Sequence, residues 1–244
     1  MKKLLLSILA TFLVIGLVGA GTFAWFQDTE TSSGNTFQAG TMDLEIRDFT
    51  GTEAGTWKNG VTATWTLSGM EPGVSETGIQ QIELQNVGSI AADHLEIWCT
   101  YTVNDNPDVE SDTDKNTSSH PSQFARYMQI TYMRYMNGLW YYDLLTGQKY
   151  KKVANEWVAD GDPQAKWQVE DKAGVDEKGN AIPADGIITL FDLNQDPLDD
   201  LTPPDGGNTQ FEMRLKLHSS ADNGIQGDTL NLTMIFTLNQ DSSQ

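Results

Sequence analysis

The sequence predicts an all-β protein: an antiparallel jelly-roll-like β-sandwich with an inserted hairpin and loop region. Three observations predict it. Apolar residues recur at every second position in several separate runs, an Asn-Gly pair sits between two apolar runs, and no long stretch has convincing helical spacing.

The alternation is clearest near the C-terminus. Phe211, Met213, Leu215 and Leu217 interleave with Glu212, Arg214, Lys216 and His218. Leu230, Leu232, Met234, Phe236 and Leu238 interleave mostly with Asn and Thr. Leu95, Ile97, Cys99, Tyr101 and Val103 form a third run, Val61, Ala63, Trp65 and Leu67 a fourth, and Met42, Leu44 and Ile46 a fifth. One apolar and one polar face per run is the pattern of a half-buried antiparallel strand. Asn137-Gly138 predicts a hairpin turn. Phe124–Tyr135 is ambiguous, because Phe124, Met128 and Tyr132 also fit helical spacing. Gln148–Asp171, with Trp157 and Trp167, reads as an extra hairpin packed on the sandwich. The domain reading is a core from 41 to 240 with an insertion at about 137–186, ending in a tail at 241–244.

The N-terminus predicts export. Lys2 and Lys3 precede an almost continuously apolar stretch from Leu4 to Val18, followed by Gly19, Ala20, Gly21 and Ala24. This is the layout of a secretory signal peptide. Cleavage fits after Ala20 and after Ala24, and the domain reading takes 1–24 as signal. An uncleaved membrane anchor is the alternative, since the uncharged stretch is long enough to span a bilayer. With cleavage, the chain meets a membrane only before processing, and the mature protein is secreted to the medium or cell surface.

Composition narrows the function. The 244 residues carry 34 acids against 15 bases, a net charge of −19, and the pI is about 4.2. Such a surface repels phosphate, which argues against nucleic acid as a partner. One cysteine permits no internal disulfide, so stability must come from core size, metal or assembly. No His-Glu-x-x-His pair occurs, and no Gly-rich phosphate loop. His94 and Glu96, with Asp93 adjacent, read as a solvated strand edge. Cys99 lies on the apolar face of its strand and reads as a buried, inert thiol. No catalytic residue is assigned.

Calcium is the metal the sequence suggests. Asp192, Asn194 and Asp196 space oxygen donors two apart and Asp199 follows, with Asp112 and Asp114 in a second acidic loop; hard cations need such oxygen clusters. A solubilising acidic loop is the alternative reading. Two glycosylation sequons begin at Asn116 and Asn231.

Several ordered motifs carry a family resemblance. Gly21-Thr22-Phe23-Ala24-Trp25-Phe26-Gln27-Asp28-Thr29-Glu30 is followed by Ser33-Gly34-Asn35-Thr36-Phe37-Gln38-Ala39-Gly40-Thr41-Met42-Asp43-Leu44. Then come Leu67-Ser68-Gly69-Met70-Glu71-Pro72-Gly73, Asn86-Val87-Gly88-Ser89-Ile90 and Asp222-Asn223-Gly224-Ile225-Gln226-Gly227-Asp228. Together they resemble the TasA/camelysin family. The motifs span about 21–100 and 185–240, and the region 105–185 carries none.

The resemblance implies a secreted jelly-roll subunit of biofilm-matrix fibres or pili, released by a SipW-type signal peptidase. It also implies self-association, in which each subunit's N-terminal segment becomes a strand of its neighbour. The segment 25–40 suits that role, because it is rich in Thr, Ser and Gly yet carries Trp25, Phe26 and Phe37 as candidate donor-strand residues. The rival readings are a camelysin-like surface metalloendopeptidase and a surface adhesin or carbohydrate-binding sandwich. Cleavage after Ala24 would free the donor end. N-terminal sequencing of the secreted protein is expected to read Trp-Phe-Gln-Asp from Trp25; a start at Gly21 would move the cut to Ala20.

Overall fold

Period-two burial organises the described chain into twelve strands, two short helices and two 3-10 turns. The structure, a computed structural model, describes residues 42–48, 55–59, 70–105, 118–204, 209–221, 223–225 and 227–240. The chain divides between Ala39 and Gly40, and every described residue belongs to the second unit. The strands are β1 (Leu44–Asp48), β2 (Gln80–Asn86), β3 (His94–Asn104), β4 (Met128–Met136), β5 (Trp140–Asp143) and β6 (Gln148–Val153). They continue as β7 (Glu156–Ala159), β8 (Gly174–Val175), β9 (Ala181–Ile182), β10 (Leu198–Leu201), β11 (Thr209–Leu217) and β12 (Thr229–Asn239). Helix α1 is Pro121–Ala125 and α2 is Leu190–Gln195.

Seven strands form one sheet in the order β1-β2-β11-β4-β5-β6-β7, and three form a second in the order β10-β3-β12. All their pairings are antiparallel. The protein is thus all-β, with two sheets enclosing one core. Phe211, Met213, Leu215 and Leu217 of β11 are buried, and the residues between them are half-exposed. They meet Leu95, Ile97, Cys99 and Val103 of β3 in a single apolar cluster. Phe211 of the large sheet and Phe236 of the small one touch edge to face, with ring centroids 5.3 Å apart.

The ambiguous run resolves into both structures. Phe124 lies in the short α1, and β4 starts at Met128. A bulge interrupts β4, since Arg214 and Leu215 of β11 face Tyr132 and Ile130 and skip Thr131. The extra residue shifts the parity, so Met128 and Ile130 point inward before it and Met133 and Tyr135 after it. The three-residue step from Ile130 to Met133 mimics helical spacing.

Asn137-Gly138 does join β4 to β5, but through its side chain. Asn137 Oδ1 accepts from the backbone N–H of Leu139 (2.8 Å) and Trp140 (3.1 Å), and neither Asn137 nor Gly138 has positive φ. The left-handed two-residue turn lies instead between β6 and β7, where Ala154 (φ 49°) and Asn155 (φ 70°) adopt the conformation that matches strand twist. This hairpin corrects one expectation. It extends the edge of the large sheet rather than packing on the sandwich, and all of β7 is exposed. Trp157 packs on Tyr141 within that extension (4.9 Å), while Trp167 sits in a 3-10 turn against Tyr142 (4.8 Å).

Gly147 lies just before β6 at φ +67°, and a Cβ there would run into the Gln164 carbonyl. Gln164 N–H already donates to the Gly147 carbonyl at 2.9 Å, so this close approach ties the β5–β6 turn to the following loop. Gly147→Ala is expected to lower stability by about 2 kcal/mol, read as a lower urea midpoint with unchanged slope.

Candidate functional site

His94 opens β3 and corrects the expectation of a solvated edge. The residue is 2% exposed, because β12 pairs along one side of β3 and β10 along the other. Its Nε2 lies 3.3 Å from Asp199 Oδ1, 3.7 Å from Glu96 Oε1 and 3.4 Å from Asn239 Nδ2. Its Nδ1 lies 3.6 Å from Asp93 Oδ2 and has no hydrogen-bond partner. His94 and Glu96 do share a strand face, as their spacing requires.

A bulge delivers the third group. Leu198 and Leu201 of β10 face Ile97 and Leu95 of β3, so Asp199 and Asp200 together oppose Glu96. Asp200 takes a left-handed conformation (φ 54°), its carboxylate pairs with Lys166, and its carbonyl accepts from Trp167 Nε1 at 3.1 Å. The bulge re-aims the strand and brings Asp199 to His94. Asp199 Oδ1 also accepts the Asp200 N–H at 2.6 Å.

His94, Glu96 and Asp199 each offer one donor atom, and all three atoms lie within 4.8 Å of one another. Ligands at about 2.0–2.2 Å from a tetrahedral ion stand roughly 3.4 Å apart, close to the separations around His94 Nε2. One imidazole nitrogen with two carboxylate oxygens is a donor set for a divalent cation. Glu96 and Asp199 are partly exposed, which leaves the centre a solvent-facing side.

Of the residues the sequence offered for calcium, this cluster takes in Asp199 alone. Asp192 accepts from Thr189 N–H (2.8 Å) and Oγ1 (2.7 Å) in a capping box that starts α2, and burial holds its carboxyl above the ordinary range. Asn194 donates to the Cys99 carbonyl (2.8 Å), tying α2 to β3. Asp196 pairs with Lys172 Nζ at 2.5 Å. Asp112, Asp114, Trp25, Phe26 and Phe37 lie outside the described residues.

A second feature is the β12 edge. Among the described residues β12 pairs only with β3, through eleven residue pairs. Its inward side chains Leu230, Leu232, Met234 and Phe236 pack on the core yet stay only partly buried.

A family model described as camelysin metallo-endopeptidase matches residues 1–137. The chain is also 28% identical over 130 residues to a major biofilm matrix component of Bacillus subtilis (strain 168). That alignment covers 53% of this chain and 41% of the relative, so it spans less than half of that protein's length.

Cys99 is positioned for packing. It is buried, its thiol faces the Leu190 carbonyl at 3.4 Å, and burial pushes its pKa up to about 12. A thiol so desolvated supplies almost no thiolate near neutrality. The native protein is expected to leave Ellman's reagent unreacted at about pH 8; the guanidine-unfolded chain should release one equivalent.

Proposed function

The chain belongs to the camelysin metallo-endopeptidase family, and on that premise we propose that it is a secreted biofilm matrix protein that polymerises into extracellular fibres. The likeness to the Bacillus subtilis matrix component supports the matrix role. The observation that carries polymerisation is β12, a long strand that among the described residues stands at the edge of its sheet with a half-covered apolar face. An added strand would gain backbone hydrogen bonds along that edge and apolar contacts on its face. The donor is the segment 25–40 of another copy, freed by a SipW-type signal peptidase, with Trp25, Phe26 and Phe37 reaching the exposed parts of Leu230, Leu232, Met234 and Phe236.

A second reading is a surface metalloendopeptidase, and the convergence of His94, Glu96 and Asp199 is what favours it. A divalent ion bound there would supply Lewis acidity toward a substrate carbonyl or a water. The chain's own contribution would be to hold that ion at the mouth between β3 and β10, with the more exposed Glu96 and Asp199 on the solvent side.

Electron microscopy separates these readings. Protein beginning at Trp25 is expected to form fibres, and protein beginning at Thr41 is expected to stay monomeric. A synthetic 25–40 peptide added in excess should block growth of the longer form. Monomers from both proteins under all conditions would defeat strand donation. Casein hydrolysis that a chelator abolishes would then favour the peptidase.

A further inference from the structure

We propose that His94 Nε2, Glu96 Oε1 and Asp199 Oδ1 ligate a divalent transition-metal ion of the zinc class, which staples β10 to β3. The inference rests on the side-chain geometry and needs neither the fibre nor the peptidase reading.

Three observations carry it. First, the imidazole is almost wholly buried, but its bonding is incomplete. Nε2, the nitrogen turned toward Glu96 and Asp199, has one long hydrogen bond, with the Asn239 amide at 3.4 Å. A buried imidazole nitrogen held by one long contact is under-satisfied, and an ion on Nε2 would complete its bonding. Second, the two carboxylates stand off Nε2 by 3.3 and 3.7 Å, beyond good hydrogen-bond length. All three atoms lie within 4.8 Å of one another, and a cation among them would give Nε2 and both carboxylates a common partner. Third, the ring's two nitrogens face different groups. Nε2 faces the two candidate ligands, while Nδ1 faces Asp93, the arrangement in which an outer carboxylate orients a metal-bound imidazole.

The donor set selects the metal. Calcium and magnesium take oxygen ligands, with calcium wanting six to eight. A buried imidazole with two single carboxylate oxygens suits zinc and its neighbours, and leaves a fourth position for water.

The staple also explains the placement of the bulge. β10 is four residues long, and its pairing with β3 is interrupted at Asp199 and Asp200. A bulged strand that short has few ladder bonds of its own, and a shared ion adds a crosslink where the ladder fails. Asn239 on β12 approaches from the far side of β3, so groups from all three strands meet at this one point.

The test uses the secreted protein, stripped with a chelator and dialysed. Zinc titration by calorimetry is expected to give one site per chain. Zinc at a hundredfold excess over its dissociation constant should raise Tm by about 5–10 °C. Cobalt(II) should give the intense visible absorption of a four-coordinate site. Asp199→Asn and Glu96→Gln should each weaken zinc binding at least ~100-fold while the stripped proteins melt near the stripped parent. Asp196→Asn, which lies outside the cluster, should bind zinc as the parent does. If Asp199→Asn fails to fold, the more exposed Glu96→Gln and the parent's cobalt spectrum decide. The proposal is overturned if zinc neither binds stoichiometrically nor raises Tm. It is equally overturned if Glu96→Gln and Asp199→Asn bind as the parent does, or if calcium binds and zinc does not.

Discussion

β11 lies between β2 and β4, and its register with both decides which side chains of the large sheet face the core. Phe211 stands opposite Ile82 on one side and Tyr135 on the other, and Met213 stands opposite Met133. A slip of one residue would turn Phe211, Met213, Leu215 and Leu217 outward and bring Glu212, Arg214 and Lys216 inward. Those polar residues have outward work to do. Glu212 accepts from Tyr132 Oη at 2.8 Å, and Arg214 pairs with Glu76 at 2.9 Å. Burial on one face and pairing on the other therefore enforce the same register. The small sheet closes over this face through Phe236 and the β3 apolar row.

Strands with unbroken parity were legible in the sequence. β3, β11 and β12 alternate along their whole length, and period two was enough to find them and their inward faces. β4 was harder because its bulge at Thr131 restores the inward face only after a three-residue step. The β6–β7 turn was missed for a related reason. Ala154 and Asn155 hold positive φ without the glycine that usually marks such a turn. Asn137-Gly138 carried the right prediction by a different mechanism, since the asparagine side chain rather than glycine's freedom shapes that turn.

The candidate site was legible only in half. His94-x-Glu96 can be read from the sequence as two groups on one strand face, but nothing local says whether that face is wet. Asp199 was noticed as part of an acidic run and grouped with its sequence neighbours. The fold splits that run: Asp192 caps α2, Asn194 tethers it, Asp196 pairs with Lys172, and the bulge turns Asp199 toward β3. Oxygen spacing along a chain predicts a metal loop only when the loop curls around one point. Here a helix and a bulged strand send the donors to different partners, and the convergent set forms between strands distant in sequence.

Two of the edge strands described here, β7 and β12, differ in length and surface. β7 is four residues long and fully exposed, and its neighbour β6 carries Lys149, Lys151 and Lys152. Short, charged edges resist pairing with other strands. β12 offers eleven residues and an apolar row. A different segment of another copy added at β12 would join two unlike surfaces, so that contact would be heterologous and need not close into a ring. Any array built this way has direction: its two ends expose different surfaces and gain or lose subunits at different rates.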